Sequence, residues 1–306
     1  MCVLSACCFG AMAIFAKEAY GQGVTVVTLL SMRFLLAAIL FWGIVAVRGA
    51  QLPSRRVLLT GLALGAGGYA AQAGLYFGAL TRIDASLTAL LLYLYPMLVF
   101  GGAVALGREH LTARRVGALT LATGGTMLVL LGGSIGAVDG LGIAMALGAA
   151  TVYAAYILVT DRIVGSADPF MLSALVTTGA TASLFAVGTG SGSLDLTFNA
   201  AGWGWIAALA CGSTVLGISA LFAGLRDVGP STASIVSTAE PAVTVGLATA
   251  IYGEALGPGQ IAGGILVLGA VVVLQFRAGA GTVVGDDAPD RVPAPAPARA
   301  LAHEPA

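Results

Sequence analysis

Charge is what this chain has least of. Of its 306 residues only 9 % are Asp, Glu, Lys or Arg, and the formal net charge is zero, against roughly 25 % charged residues in an ordinary soluble domain. So little charge cannot cover a water-facing surface, which makes lipid the main solvent, and a zero balance leaves no electrostatic footprint for nucleic acid. Histidine is nearly missing, with only His110 and His303. Neither stands at metal-ligand spacing from Cys2, Cys7, Cys8 or Cys211, all of which sit in apolar runs. The cysteines therefore read as packing residues, with no metal site and no disulfide framework. A phosphate-binding P-loop is missing, which leaves ATP-driven transport within this chain unsupported. H-E-x-x-H and G-x-S-x-G are missing too, so no catalytic constellation is expected, and no cofactor. The first stretch is apolar but has no basic n-region and no small-residue cleavage site, so it reads as a retained helix; its abrupt start leaves room for native residues before it.

What the chain does have is apolar sequence, 58 % of it. Runs that approach the roughly 20 residues a bilayer-crossing helix needs fall at 2–20, 25–47, 57–80, 85–106, 115–133, 138–160, 169–189, 201–224, 231–252 and 257–276. Helices are the open-chain solution in lipid, because each backbone donor and acceptor must be bonded within its own segment. The expected fold is an all-α integral membrane protein with ten transmembrane helices. With the N-terminus inside, eleven basic residues, among them Arg48, Arg55, Arg56, Arg108, Arg114, Arg115, Arg162 and Arg226, fall on the cytoplasmic side and two, Lys17 and Arg82, outside. That bias places both termini in the cytoplasm, in a multi-pass protein expected in a bacterial inner membrane.

The segment Asp84 to Gly133 occurs twice. Moved forward by 145 positions it falls on Gly229 to Ala278 without a gap: Pro96 lands on Pro241, Gly101 on Gly246, Glu109 on Glu254 and Leu111 on Leu256. Phe77 and Leu80 match Phe222 and Leu225, and basic Lys17 falls on basic Arg162. Five helices per unit is an odd number, so the second copy enters the membrane from the opposite side. The expected arrangement is two inverted five-helix repeats, 1–134 and 135–277, as in many secondary transporters. Beyond Arg277, alternating Pro, Ala, Gly and Asp cannot bury a core, and 278–306 reads as a disordered cytoplasmic tail.

Set side by side, Phe9-Gly10 through Lys17, Ser31-Met32-Arg33-Phe34, Tyr95-Pro96 with Gly107-Arg108-Glu109-His110-Leu111, and Glu240-Pro241 with Gly253-Glu254-Ala255-Leu256 resemble the drug/metabolite transporter superfamily, EamA type. The resemblance covers roughly residues 2 to 276. It departs at Phe9, where many members have Trp, and at the second elbow, where Glu254 follows Gly253 directly. It implies a ten-helix carrier, often an exporter of amino acids or other small metabolites, with one cavity shared by both halves. The alternatives are a membrane-embedded enzyme and a non-transporting membrane scaffold.

An ionisable group at membrane depth costs at least about 2.5 kcal/mol, so it is a functional candidate by default. Arg33 in the second helix and Glu240 in the ninth qualify. Two readings fit them: an ion pair that fixes one helix against the other, or cavity-facing groups, with Glu240 binding an amino group or accepting a proton as coupling ion. Tyr95 holds in the first unit the place of Glu240 in the second, each directly before its proline. Pro96 and Pro241 withhold an N–H and free the carbonyls of Leu92 and Ser237, so both helices are expected to bend around the cavity. Tyr69, Gln72 and Tyr76 share one helix face, Tyr93 lies near Tyr95, and Tyr153 and Tyr156 share another face. Each is a candidate substrate contact or a packing residue. Glu109 and Glu254 are expected to hold their elbows by bonding backbone donors or a basic side chain.

Overall fold

A computed structural model describes residues 1–108, 112–131, 139–163 and 168–275, and among them all regular structure is helical. Glu109, His110, Leu111 and the tail lie outside the described residues, as do the side chains of Arg114, Arg115 and Arg162. The chain runs through α1 (Cys2–Gly10), α2 (Met12–Gly21), α3 (Val26–Val47), α4 (Arg55–Ala63), a π-helical segment Leu64–Tyr69, and α5 (Ala70–Ala79). It continues through α6 (Ala85–Leu92), α7 (Tyr95–Ala105), α8 (Ala113–Leu131), α9 (Gly140–Ile163), α10 (Pro169–Gly190) and α11 (Ala200–Ala207). A second π segment, Ala208–Leu216, then leads to α12 (Gly217–Ser237), α13 (Glu240–Tyr252) and α14 (Pro258–Gln275).

Among the described residues six stretches are long and apolar enough to cross a bilayer: Cys2–Gly21, Val26–Val47, Ala85–Ala105, Gly140–Thr160, Pro169–Gly190 and Ala200–Gly229. Val116–Val129 and Pro258–Val273 are apolar but shorter. Of the other expected spans, α4 opens on Arg55-Arg56 and runs into a π segment, and α13 has only 13 residues. The helix starts follow local chemistry. Asp168 accepts the N–H groups of Phe170 and Met171 at 2.9 and 3.0 Å, and Pro169 in the first turn has no N–H to lose. Asp139 caps α9 in the same way through Leu141 and Gly142. Gly253, at φ 66°, takes the left-handed conformation that ends α13 just before Glu254.

Between helices there is little hydrophobic drive in lipid, so close approach has to come from small residues. A Cβ built on Gly65 would stand 2.0 Å from the Val176 carbonyl oxygen, and one on Gly179 would stand 2.1 Å from that of Leu62. The first π segment and α10 thus touch backbone to backbone. Gly125 of α8 and Gly263 of α14 do the same, with 2.7 and 2.4 Å to each other's carbonyl oxygens. Elsewhere α1 packs on α12 and α13, α9 on α5 and α7, α3 on α10 and on the second π segment, and α6 on α13. Phe34, Phe77, Leu29 and Leu30 are fully buried at the centre of the largest apolar cluster.

Candidate functional site

Two helix breaks shape the site. α6 ends at Leu92, Tyr93 and Leu94 form a turn, and α7 begins at Tyr95 with Pro96 in its first turn. At the same offset of 145, α12 ends at Ser237, Thr238 and Ala239 turn, and α13 begins at Glu240 with Pro241 in its first turn. Each proline removes a donor from the helical ladder, leaving a carbonyl one turn earlier free for another partner. At Ser237 that partner is Tyr93, whose hydroxyl reaches its carbonyl oxygen at 2.5 Å and also lies 3.1 Å from Glu240 Oε2. The break thus delivers a carboxylate, a phenol and a bare carbonyl to one point.

From that point an arc of rings crosses the interior. Tyr93 meets Tyr95 edge-on at 5.9 Å, Tyr95 meets Tyr153 at 4.7 Å, Tyr153 stacks on Tyr156 at 6.2 Å, and Tyr156 meets Tyr69 at 5.9 Å. Tyr69 then leans on Phe34 at 5.3 Å. The arc ends at Arg33, whose guanidinium lies 5.0 Å from the ring centres of both Phe34 and Phe77. Cation–π contact of this kind compensates part of the cost of a buried charge. The arc encloses a cavity of about 520 Å³ whose walls also include Gln72 and Tyr76. This lies within the range of small-molecule sites. Arg33, Gln72, Tyr69, Tyr76, Tyr93, Tyr95, Tyr153 and Glu240 all line it, Glu240 at one part of the wall and Arg33 at another. Pro96 borders a smaller adjoining hollow of about 200 Å³, and Pro241 is buried behind Glu240.

Arg33 and Glu240 do not pair with each other: the ion pairs among the described residues are Lys17–Glu254, Arg48–Asp168 and Arg82–Asp139. Arg33 is held by a neutral group, donating from Nε to Thr214 Oγ1 at 2.8 Å while only 2 % exposed. Thr214 sits in the second π segment and itself donates to the Leu209 carbonyl five residues back, the wider loop that a π turn leaves open. Nothing in the residue spacing announces a π turn, so sequence reasoning misses Thr214. It also misses Ser173 and Thr177, which line the cavity from α10; two small hydroxyls at i, i+4 on an apolar helix are the signal that points to them. Thr214→Val leaves a buried guanidinium donor unpaired and is expected to cost about 1–3 kcal/mol. Thermal unfolding in detergent checks this, with Thr214→Ser, which keeps the hydroxyl, expected to stay close to the parent.

Two halves of the chain match one family model. That of the EamA-like transporter family covers residues 1–131 and, a second time, residues 140–276. This chain belongs to the EamA-like transporter family. The family lies within the drug/metabolite transporter superfamily. An uncharacterized transporter of Bacillus subtilis (strain 168), YcbK, is 25 % identical over 280 residues, which span 88 % of this chain and 90 % of that one. A protein of known crystal structure shares the fold, with a TM-score of 0.62 at 19 % identity over 91 % of this chain and 96 % of that chain. This EamA-like protein is therefore an integral multi-pass membrane protein that transports small molecules.

Proposed function

We propose that this EamA-like protein is a secondary transporter, an exporter of small metabolites such as amino acids, working by alternating access around a cavity near the middle of the bilayer. The observation that carries this is the cavity itself: one carboxylate and one guanidinium, unpaired with each other, on an aromatic wall about 520 Å³ in volume. A zwitterion matches that wall, its carboxylate toward Arg33 and its ammonium toward Glu240.

Ten spans in two inverted repeats, 1–134 and 135–277, are supported by how the elements pack. Shifting by one unit turns α1 into part of α9, α5 into the start of α12, and α7 into α13. Under that shift α1 against α12 becomes α9 against α5, and α1 against α13 becomes α9 against α7. The contact of α3 with the second π segment becomes that of α10 with the first, and α3 with α10 and α8 with α14 are pairs of equivalents. The two π segments agree with the same offset, since Leu64–Tyr69 maps inside Ala208–Leu216. Rocking of one such unit against the other is how inverted-repeat carriers expose a midplane site to each side in turn.

Protons serve as the coupling ion. The Tyr93 hydroxyl has one proton and two acceptors in reach, the Ser237 carbonyl at 2.5 Å and Glu240 Oε2 at 3.1 Å. A proton on Glu240 resolves that contest, and its departure as a substrate ammonium arrives keeps the charge at the Glu240 end of the site constant.

Counterflow in proteoliposomes tests the proposal. A panel of amino acids and small metabolites is expected to yield at least one solute with saturable exchange and no chemical change; turnover into a product selects an enzyme instead. Cysteines placed at Glu109 and Glu254 are expected to react with impermeant reagent from opposite faces. Reaction of both from one face overturns the inverted repeat.

A further inference from the structure

The face of the molecule that carries Lys17 and Glu254 is tied shut by one carboxylate. Glu254, its side chain 7 % exposed, receives Lys17 Nζ at 2.7 Å, the Ser86 hydroxyl at 2.8 Å and the backbone N–H groups of Ser86 and Ala85 at 3.0 and 3.1 Å. Those donors come from two helices, α2 through Lys17 and the first turn of α6, while the acceptor stands on the elbow after α13. Asp84 stands at the start of α6 yet makes no side-chain cap, so Glu254 supplies from another helix the acceptors that this N-terminus needs. A second contact braces the first. Tyr252 donates to Glu18 at 2.8 Å, and Lys17 Nζ lies 5.3 Å from the centre of its ring.

These are the ends of the helices that build the cavity. α2 lines it through Met12 and α6 through Leu92, each more than one helical turn short of Lys17 and Ser86. Toward the opposite face the lining continues to Pro169, Leu172 and Ser173 in the first turn of α10 and to Phe222. There Phe170 packs edge-on against Phe222 at 5.6 Å and Arg48 lies over the Phe170 ring. The cavity therefore stops below the Glu254 network and runs out to the helix ends at the other face.

We propose that Lys17, Glu254 and Ser86 form the gate of the transport cavity on this face, and that breaking this network separates α2, α6 and the α13–α14 elbow and opens the cavity to that side. The gate rests on the transporter function proposed above, but its test does not. Burial pushes the Glu254 carboxyl up, and the bonds from Lys17, Ser86 and Ala85 outweigh it and hold the group below its ordinary value. The groups facing it are Lys17 and Glu18 from α2, Ser86 from α6 and Tyr252 from α13. With a lowered value, the closing contribution is fully present above the ordinary carboxylate range and is lost only as pH falls through that lowered value. At neutral pH the gate is released by substrate and conformational change rather than by protonation of Glu254.

The test is site-specific labelling of the full chain in intact cells. Leu92→Cys reports on the cavity beneath the gate and Ser173→Cys on its other end. Impermeant maleimide added outside is read by mass on the tagged peptide, so that native cysteines do not interfere. Leu92→Cys is expected to label slowly alone and at least about tenfold faster with Glu254→Gln, since loss of a charged hydrogen bond changes an equilibrium by about that factor. In inverted vesicles, Ser173→Cys is expected to label more slowly with the same change, a reciprocal shift that general loosening does not produce. Should Glu254→Gln lower the amount of protein, Lys17→Gln, which leaves the three bonds from α6 in place, carries the same expectation. Unchanged labelling at Leu92→Cys, or faster labelling at both reporters, overturns the gate. Intact counterflow with unchanged labelling sinks the gate alone; a reciprocal shift without counterflow of any solute sinks the transporter function and leaves the gate standing.

Discussion

Glu240→Gln is expected to slow counterflow by about 10- to 150-fold, the equivalent of the 1.5–3 kcal/mol that a hydrogen bond to a charged group contributes. The amide keeps the shape of the carboxyl and leaves Ser237 to Tyr93, so the fold survives, and the amount of protein in the membrane is expected to match the parent. What goes is the negative charge at the head of the aromatic arc and the group that exchanges a proton. Parent transport is expected to vary with pH and the residual transport of the variant to be flat across the same range. Arg33 stands apart from Glu240 on the wall, with Thr214 as its hydrogen-bond partner, so removing the carboxylate orphans no ion pair. A large loss of folded protein in Glu240→Gln would contradict this separation, and unchanged counterflow with unchanged pH dependence would end the assignment of Glu240 to the site.

The second large effect is on assembly. Gly65→Ala and Gly179→Ala are each expected to abolish recovery of folded protein or lower stability by more than about 3 kcal/mol, beyond the usual 1–3 kcal/mol for overpacking. The reason is what the new methyl meets. At both positions the nearest atoms are backbone, the Val176 carbonyl at 2.0 Å and the Leu62 carbonyl at 2.1 Å, and backbone cannot rotate away as a side chain can. To fit, the first π segment and α10 must separate, and both help form the cavity. Gly74→Ala, nine residues beyond Gly65 on α5 with nothing within 4 Å of its Cβ, is the internal control. It is expected to be neutral or to stabilise slightly, by about 0.5–1 kcal/mol from helix propensity. Thermal unfolding in detergent compares the three, and equal effects at all would show that the interhelical backbone contact is unimportant.

These two results bear on different parts of what could be read in advance. Pro96 and Pro241 with their matched neighbours Tyr95 and Glu240 are legible because rarity carries information: a helix proline and a buried acid stand out in an apolar chain. Gly61 and Gly65 stand at four-residue spacing in the sequence, but the contact of Gly65 with Val176 is not legible there, because an approach between segments more than a hundred residues apart leaves no trace in local spacing. Glu254 was expected to hold its elbow through backbone donors or a basic group. It does bond Lys17 and two amides, but those amides belong to α6, so it ties three helices rather than one turn.

From the residues alone came a membrane-embedded helical chain, a duplicated unit and two ionisable groups at depth, because lipid imposes one backbone solution and makes every charge inside it expensive. Only the tertiary structure decided that Arg33 bonds Thr214 instead of Glu240, that six tyrosines share one cavity wall, and that one face is closed by Glu254 while the cavity runs out toward the other. Those facts depend on the rotation and depth of each helix relative to its neighbours, which π turns and glycine contacts set and which hydrophobic periodicity leaves free.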